Sequence, residues 1–278
     1  MAISAQDVNK LRQMTGAGVM DCKKALDEAQ GNFEEAVVSL RKKGQKISEK
    51  RADMEVNEGI VFVSTNADQT QGFLVAINCE TDFVAKNEEF VKLGNAILAK
   101  AIETQPNGLE ALKQTPVLDG RSAAEHVTEL MGKIGERMEI TAYEHVKGDK
   151  VISYIHLGAK LGVLVAMDGV NGKDVSELGK DIAMQIAAMK PIALDKEDVD
   201  ASVLAKELDI AKEQARQEGK PEAMLEKIAQ GKLNKFYKES TILNQEFVKD
   251  NSKTIAQLLK EVDANLKINA FKRISVTK

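Results

Sequence analysis

The stretch GFLVAIN (residues 72–78) recurs as GVLVAMD (162–168), with glycine, leucine, valine and alanine in the same places and an asparagine or aspartate closing each copy. A short apolar run ended by a turn-favouring residue reads as a buried strand. Two further matches keep the same order. LGNAI (93–97) pairs with LGKDI (178–182) inside helical periodicity, and MEITAYEH (138–145) pairs with LKINAFKR (266–273) as alternating strands. Ahead of each unit lies another strand, GIVFVST (59–65) and VISYIHL (151–157). Each half therefore reads strand, turn, strand, helix, further helix, strand. Hairpin-length turns make this a three-stranded antiparallel sheet with helices on one face. The fold class is α+β, with core copies over 57–146 and 147–278.

Differences between the copies locate what is special. Gly72 and Leu93 are 21 residues apart, whereas Gly162 and Leu178 are 16 apart. The first copy thus carries five extra residues between strand and helix, in the segment that contains ETDFVAKN (80–87). An insertion on a duplicated scaffold points to a functional loop. The second copy carries a surplus of 43 residues before its last strand, over about 195–238. That stretch is strongly helical and is broken by EGKP (218–221), where Gly219 stops one helix and Pro221 suits the start of the next. Val203, Leu204, Leu208 and Ala211 face Met224, Leu225, Ile228 and Ala229 in an antiparallel hairpin. Its apolar face either meets a partner, a second copy of the chain included, or folds back on its own domain.

Residues 1–45 read as three short helices. Ser4 caps the first with Asp7 three residues on, and Ile3 with Val8 forms a staple. Leu11 and Met14 continue the apolar face. TGAG (15–18) makes a corner in which Gly16 and Gly18 tolerate positive φ. Val19, Cys22, Ala25, Leu26 and Ala29 line the second helix, and Asn32 caps the third with Glu35 at its third position. Cys22 reads as a small buried hydrophobe. Residues 46–56, within the charged run RKKGQKISEKRADMEVNEG (41–59), read as a linker, partly helical and solvated.

The chain has 278 residues, a net charge of −4, 43% hydrophobic residues and two cysteines far apart. These describe a globular chain without a polyanion-binding field or a disulfide framework. MAISAQDVNK (1–10) has no apolar secretory core, and GVLVAM (162–167) is too short to span a bilayer, so the expected location is the cytoplasm, with no membrane partner. No phosphate-binding glycine motif occurs, and His126, His145 and His156 lack metal-ligand spacing. Cys79 beside Glu80 and Asp82 is a poor nucleophile, because carboxylates raise a thiol pKa. The expectation is a binding protein without bond chemistry, catalytic residues, bound metal or cofactor.

Phe83 admits two readings. Thr81 or Asp82 caps a helix and Phe83 enters the core, or the helix starts at Asn87 and residues 80–86 form a presented loop. In the second register Phe90, Leu93, Ile97 and Ala101 complete the buried stripe on their own.

LRQMTGAGVMDCKKAL (11–26), ETDFVAKNEEF (80–90) and YIHLGAKLGVLV (154–165) resemble the bacterial elongation factor Ts family. The likeness extends in order over nearly the whole chain. It implies a guanine-nucleotide exchange factor for the translational GTPase EF-Tu in its GDP-bound form. It also implies that the front module is of the ubiquitin-associated type and docks through Val19, Met20 and Lys23. Thr81, Asp82, Phe83 and Val84 match the family's intruding loop, whose phenylalanine wedges in near the GTPase's magnesium site. Ile134 and Gly135 match a secondary contact, and His156 matches one made by the second core copy. Val19 and Ile134 also lie on apolar faces. Many relatives continue into a further helical segment where this sequence reads FKRISVTK (271–278), which bears on affinity for EF-Tu rather than on exchange. The rival reading is a non-catalytic adaptor that binds through the front module and the hairpin and leaves a partner's nucleotide off-rate unchanged. Direct nucleic-acid binding through residues 41–51 is disfavoured by the acidic total.

Overall fold

The computed structural model describes residues 3–277, so residues 1, 2 and 278 of the predicted units lie outside it. The front module comprises α1 (Ala5–Thr15), α2 (Val19–Glu28) and α3 (Phe33–Lys50). Ser4 and Asp7 form a reciprocal capping box, the Asp7 N–H donating to Ser4 Oγ at 3.1 Å. Leu11, Cys22, Leu26 and Ala36 are fully buried at the module's centre. Three expectations change here. Met14 is 61% exposed, because the last turn of α1 faces outward. Only Gly16 takes the left-handed conformation (φ 68°), while Gly18 sits at φ −60° and simply precedes α2. The linker expected over 46–56 begins later than read: α3 continues through Gly44 to Lys50.

The first core copy follows in the order β1 (Glu58–Thr65), β2 (Gln71–Cys79), α4 (Asp82–Ala85), α5 (Glu88–Thr104), α6 (Leu109–Gln114), β3 (Pro116–Leu118), β4 (Arg121–Ser122), α7 (Ala123–Ile134) and β5 (Met138–Lys147). The second runs β6 (Lys150–Ile155), β7 (Leu161–Asp168), α8 (Ser176–Met189), α9 (Ala201–Gln217), α10 (Glu222–Ser240), β8 (Glu246–Phe247), β9 (Asp250–Thr254), α11 (Ile255–Val262) and β10 (Lys267–Ser275). Both sheets are antiparallel with the same topology, β1-β2-β5 and β6-β7-β10, the repeated G-x-L-V-A strand in the middle of each. A two-stranded hairpin ahead of the last helix, β3–β4 or β8–β9, is also duplicated. Strands of two to five residues have too little alternation to stand out in the sequence.

Strand periodicity explains the repeated residues. In β2, Phe73, Val75 and Ile77 face the copy's own helices; in β7, Val163, Val165 and Met167 do the same. The alternate residues, Leu74, Ala76, Leu164 and Ala166, face the other sheet in a buried layer with Val61, Val146, Val151 and Val276. The two sheets thus pack back to back through their duplicated strands. The glycines make this possible. A Cβ on Gly72 would lie 2.6 Å from Val151 Cγ1 and 2.8 Å from Leu164 Cδ2, and one on Gly162 would lie 2.6 Å from Val61 Cγ1 and 3.3 Å from Leu74 Cδ1. Val61 and Val151 hold equivalent places, opposite Ala76 and Ala166, so the contact is reciprocal about a pseudo-twofold axis.

The second repeated glycine has an equally local cause. Gly94 on α5 lies against the Phe62 ring and Gly179 on α8 against Ile152, with no room for a Cβ at either. The third repeat carries a bulge. Thr141 in β5 and Asn269 in β10 are the extra residues at register shifts. Each meets the polar residue that ends the repeated motif of the central strand: Thr141 Oγ1 donates to Asn78 Oδ1 at 2.6 Å, and Asn269 Nδ2 to Asp168 Oδ2 at 2.8 Å.

In the 43-residue surplus, α10 returns along α9, with ion pairs Lys212–Glu226 (2.5 Å) and Arg216–Glu222 (2.9 Å) across the seam. Ala211, Ala215, Leu225, Ala229 and Leu233 fill it, whereas Met224, expected inside, is 49% exposed one position off the seam. The base is anchored by Ile192 N–H to Ser240 O (2.8 Å) and Ile242 N–H to Ala193 O (3.0 Å). Among the described residues no helix is long and apolar enough to cross a membrane.

Two glycine substitutions should shift stability in opposite directions. Gly162→Ala overpacks the inter-sheet layer and should destabilise by about 1–3 kcal/mol. Gly231→Ala, inside α10 with open space around its Cβ, should stabilise by up to ~1 kcal/mol. Urea unfolding midpoints at unchanged slope measure both.

Candidate functional site

The five-residue excess of the first copy is a one-turn helix, and it uses both candidate caps. Thr81 caps α4, its Oγ1 accepting from Val84 N–H at 3.5 Å, and Asn87 caps α5, its Oδ1 accepting from Glu89 N–H at 2.8 Å. One helical turn splits its residues between two environments. Val84 and Ala85 enter the first core, while Phe83 stands 81% exposed. The core does not need that ring, because Phe90, Ile97 and Ala101 already fill the α5 stripe. An exposed phenylalanine forgoes roughly 2–3 kcal/mol of burial. Beside it, Asp82 pairs with Lys86 at 2.7 Å, and that bond, aided by Lys86 and Lys160 charge, holds the carboxyl below the usual range.

The tip is braced from beneath. Glu80, only 10% exposed, accepts two bonds from Arg51 Nη1, at 2.6 and 2.7 Å, and another from the Arg137 N–H. Thr81 Oγ1 donates to Glu136 Oε2 at 2.9 Å. Both partners 136 and 137 lie in the turn between α7 and β5, so Ile134 and Gly135 are carried alongside the tip. Gly135 ends α7 in the left-handed conformation (φ 85°) with open space around it. Two residues earlier, Lys133 reaches the front module: its Nζ would lie 3.0 Å from a Cβ on Gly16. The corner leading into Val19 and Met20, the α7 turn and the Phe83 tip thus form one connected series.

A family profile described as Elongation factor TS matches residues 80–278. The chain is 56% identical over 275 residues to Elongation factor Ts of Cytophaga hutchinsonii and 55% identical over 276 residues to that of Amoebophilus asiaticus, covering 99% of each chain in both cases. Elongation factor Ts of Porphyromonas gingivalis is 48% identical over 278 residues, again with 99% of each chain covered. This chain belongs to the elongation factor Ts family.

Against the positions implied by the elongation factor Ts resemblance, the structure separates surface from core. Met20 is 74% exposed and Lys23 is exposed on the α2 face opposite Cys22. Val19, read also as part of the buried stripe, is 48% exposed, because α2 begins there and its first turn overhangs the core. Val84 is a correction: it is 4% exposed and packs into the first core, so it supports the tip from inside and offers no contact surface. Ile134 is half-buried against the same core. His156 is exposed at the end of β6, its Nδ1 3.0 Å from Tyr154 Oη. Lys160, just beyond that turn, pairs with Glu58 at 2.6 Å on the tip's side of the molecule. Arg51, Glu80 and Glu136 escaped sequence reasoning. Arg51 and Glu80 are 29 residues apart, and no periodic pattern signals a pairing across a loop.

Cys79 sits beneath this network, fully buried, its Sγ 3.1 Å from Thr81 O. Burial first, and the Glu136 and Glu58 charges second, push the thiol up to about 12. At pH 8 the thiolate fraction is on the order of one in ten thousand. Native protein should therefore resist iodoacetamide at Cys79 for hours and react within minutes in 6 M guanidinium, as mass spectrometry of the tryptic peptide would show. Rapid native labelling would contradict the burial described.

Proposed function

We propose that this protein, as an elongation factor Ts, accelerates GDP release from EF-Tu in the cytoplasm by pressing Phe83, with Asp82 beside it, against the GTPase near its magnesium ion. The observation that carries this reading is the 81% exposed ring of Phe83 on a one-turn helix whose next two residues, Val84 and Ala85, are buried. The fold holds a large apolar group in water and braces it there through Glu80 and Thr81. The second surface is the exposed α2 face with Val19, Met20 and Lys23. Ile134 and Gly135 flank the tip, and His156 contributes from the second copy.

The physics needs no bond chemistry in this chain. Mg²⁺ tolerates little departure from octahedral geometry, so displacing the elements that support its ligands loosens the phosphate it neutralises. Each tenfold gain in release requires about 1.4 kcal/mol off the barrier. A thousandfold gain requires about 4 kcal/mol, which burial of one phenyl ring and a broad anchoring surface can supply. Linkage then requires that nucleotide weaken the factor's hold by the ratio at which the factor weakens nucleotide, so the factor turns over.

Phe83→Ala should slow stimulated release of a fluorescent GDP analogue from EF-Tu at least tenfold in stopped flow. Its unfolding free energy should stay within about 0.5 kcal/mol of the parent, since the ring leaves no core contact behind. An undiminished rate would refute the wedge. Tight complex formation with an unchanged nucleotide off-rate would establish the adaptor instead.

A further inference from the structure

Helix α3 contains a glycine in its interior, Gly44, and so does α7, Gly132. Each costs its helix about 1 kcal/mol relative to alanine. The two lie against each other. A Cβ on Gly132 would fall 2.8 Å from Gly44 Cα, and a Cβ on Gly44 would fall 3.0 Å from Thr128 O. The backbones of the two helices therefore touch, and neither glycine tolerates a side chain without moving a helix. Arg41 and Gln45 of α3 and Thr128 and Glu129 of α7 flank the crossing.

The ends of α3 are also held. Its first half belongs to the front module, where Ala36 is fully buried and Phe33, Val37 and Leu40 pack alongside, and Lys43 pairs with Asp21 of α2. Just past its last turn, Arg51 grips Glu80, the residue before the tip's capping threonine. The helix is 18 residues long, about 27 Å. It thus spans from the α2 face to the base of Phe83, with one fastening at its middle and one at its end.

We propose that α3 is a rigid strut that sets the front module's position relative to the Phe83 tip, with the Gly44–Gly132 crossing and the Arg51–Glu80 clamp as its fastenings. Arg51, Glu80, Gly44 and Gly132 are then positioning residues. This rests on the reading of the α2 face and the tip as two surfaces that engage one GTPase. Two surfaces held in a fixed relation bind together without the entropy cost of ordering a tether. Loosening the strut at the Gly44–Gly132 crossing weakens engagement and leaves the wedge itself intact.

The test uses the full chain with spin labels at Lys24→Cys, on α2, and Lys92→Cys, on α5, both exposed. Pulsed electron paramagnetic resonance should give one narrow distance distribution in the parent. Gly44→Ala/Gly132→Ala, which favours both helices while forcing them apart, should shift or broaden it, and Arg51→Ala should broaden it independently. Unlabelled Gly44→Ala/Gly132→Ala should need at least a tenfold higher concentration for half-maximal stimulation of GDP release, with the maximal rate kept within twofold. Circular dichroism at parental helicity confirms that the comparison is between folded proteins. A parent distribution that is already broad, or a distribution unmoved in both variants, overturns the strut. So does a moved distribution with unchanged concentration dependence. If Phe83→Ala fails to slow release while the distances respond as stated, the wedge falls and the strut's geometry stands.

Discussion

The molecule depends on two sheets touching at two glycines. Gly72 and Gly162 let the central strand of each copy lie on the other, and Leu74, Ala76, Leu164 and Ala166 form the buried apolar layer between. A side chain at either glycine would separate the sheets and open the layer, since packed interiors have little slack. Because the contact is reciprocal, one constraint acts twice. It leaves each sheet's outer face to its own helices, and those helices then carry everything that distinguishes the copies. The scaffold is symmetric inside and asymmetric outside.

Asymmetry was added at helix and strand ends, where the symmetric core is not disturbed. The first copy inserts one helical turn between β2 and α5; the second inserts the α9–α10 hairpin between α8 and the short hairpin before α11. The one-turn insert exposes Phe83 only because Val84 and Ala85 anchor it from within and Asn87 restarts the next helix at once. Exposure of an apolar ring is maintained against its own burial energy by a network of bonds around Glu80, Thr81, Glu136 and Arg137. Those bonds draw on three separate places in the chain, the residue just past α3, the segment just past β2 and the turn after α7. A region that must not relax is thereby cross-braced by elements that are themselves packed.

Much of this was legible in the residues. The repeated strands, the repeated glycines and the repeated last strand give the topology, because strand periodicity and a duplicated order leave few ways to connect six strands. Ser4 with Asp7, Asn32 and Asn87 announce helix starts through local chemistry, and the five-residue excess locates the tip. Other features gave no local signal. Gly44 looks like a helix end, and only α7 shows why the helix continues. Met14, Val19 and Met224 sit on apolar stripes yet face outward at helix ends or one place off a seam. Val84 belongs to the same motif as Phe83 and points the opposite way.

Taken alone, the amino-acid order determined the six strands of the two main sheets and most of the longer helices, that the core is doubled, and where the copies differ, because these follow from spacing and from capping groups within a few residues. The tertiary structure decided which face of each repeated strand meets its twin, which side of the inserted turn the aromatic ring occupies, and that α3 runs from the front module to the tip's base. Those are outcomes of contacts between residues tens to hundreds of positions apart, such as Gly44 with Gly132, Arg51 with Glu80 and Gly72 with Val151. No local preference encodes such contacts, because each depends on whether two backbones, brought together by the whole fold, have room for a side chain between them.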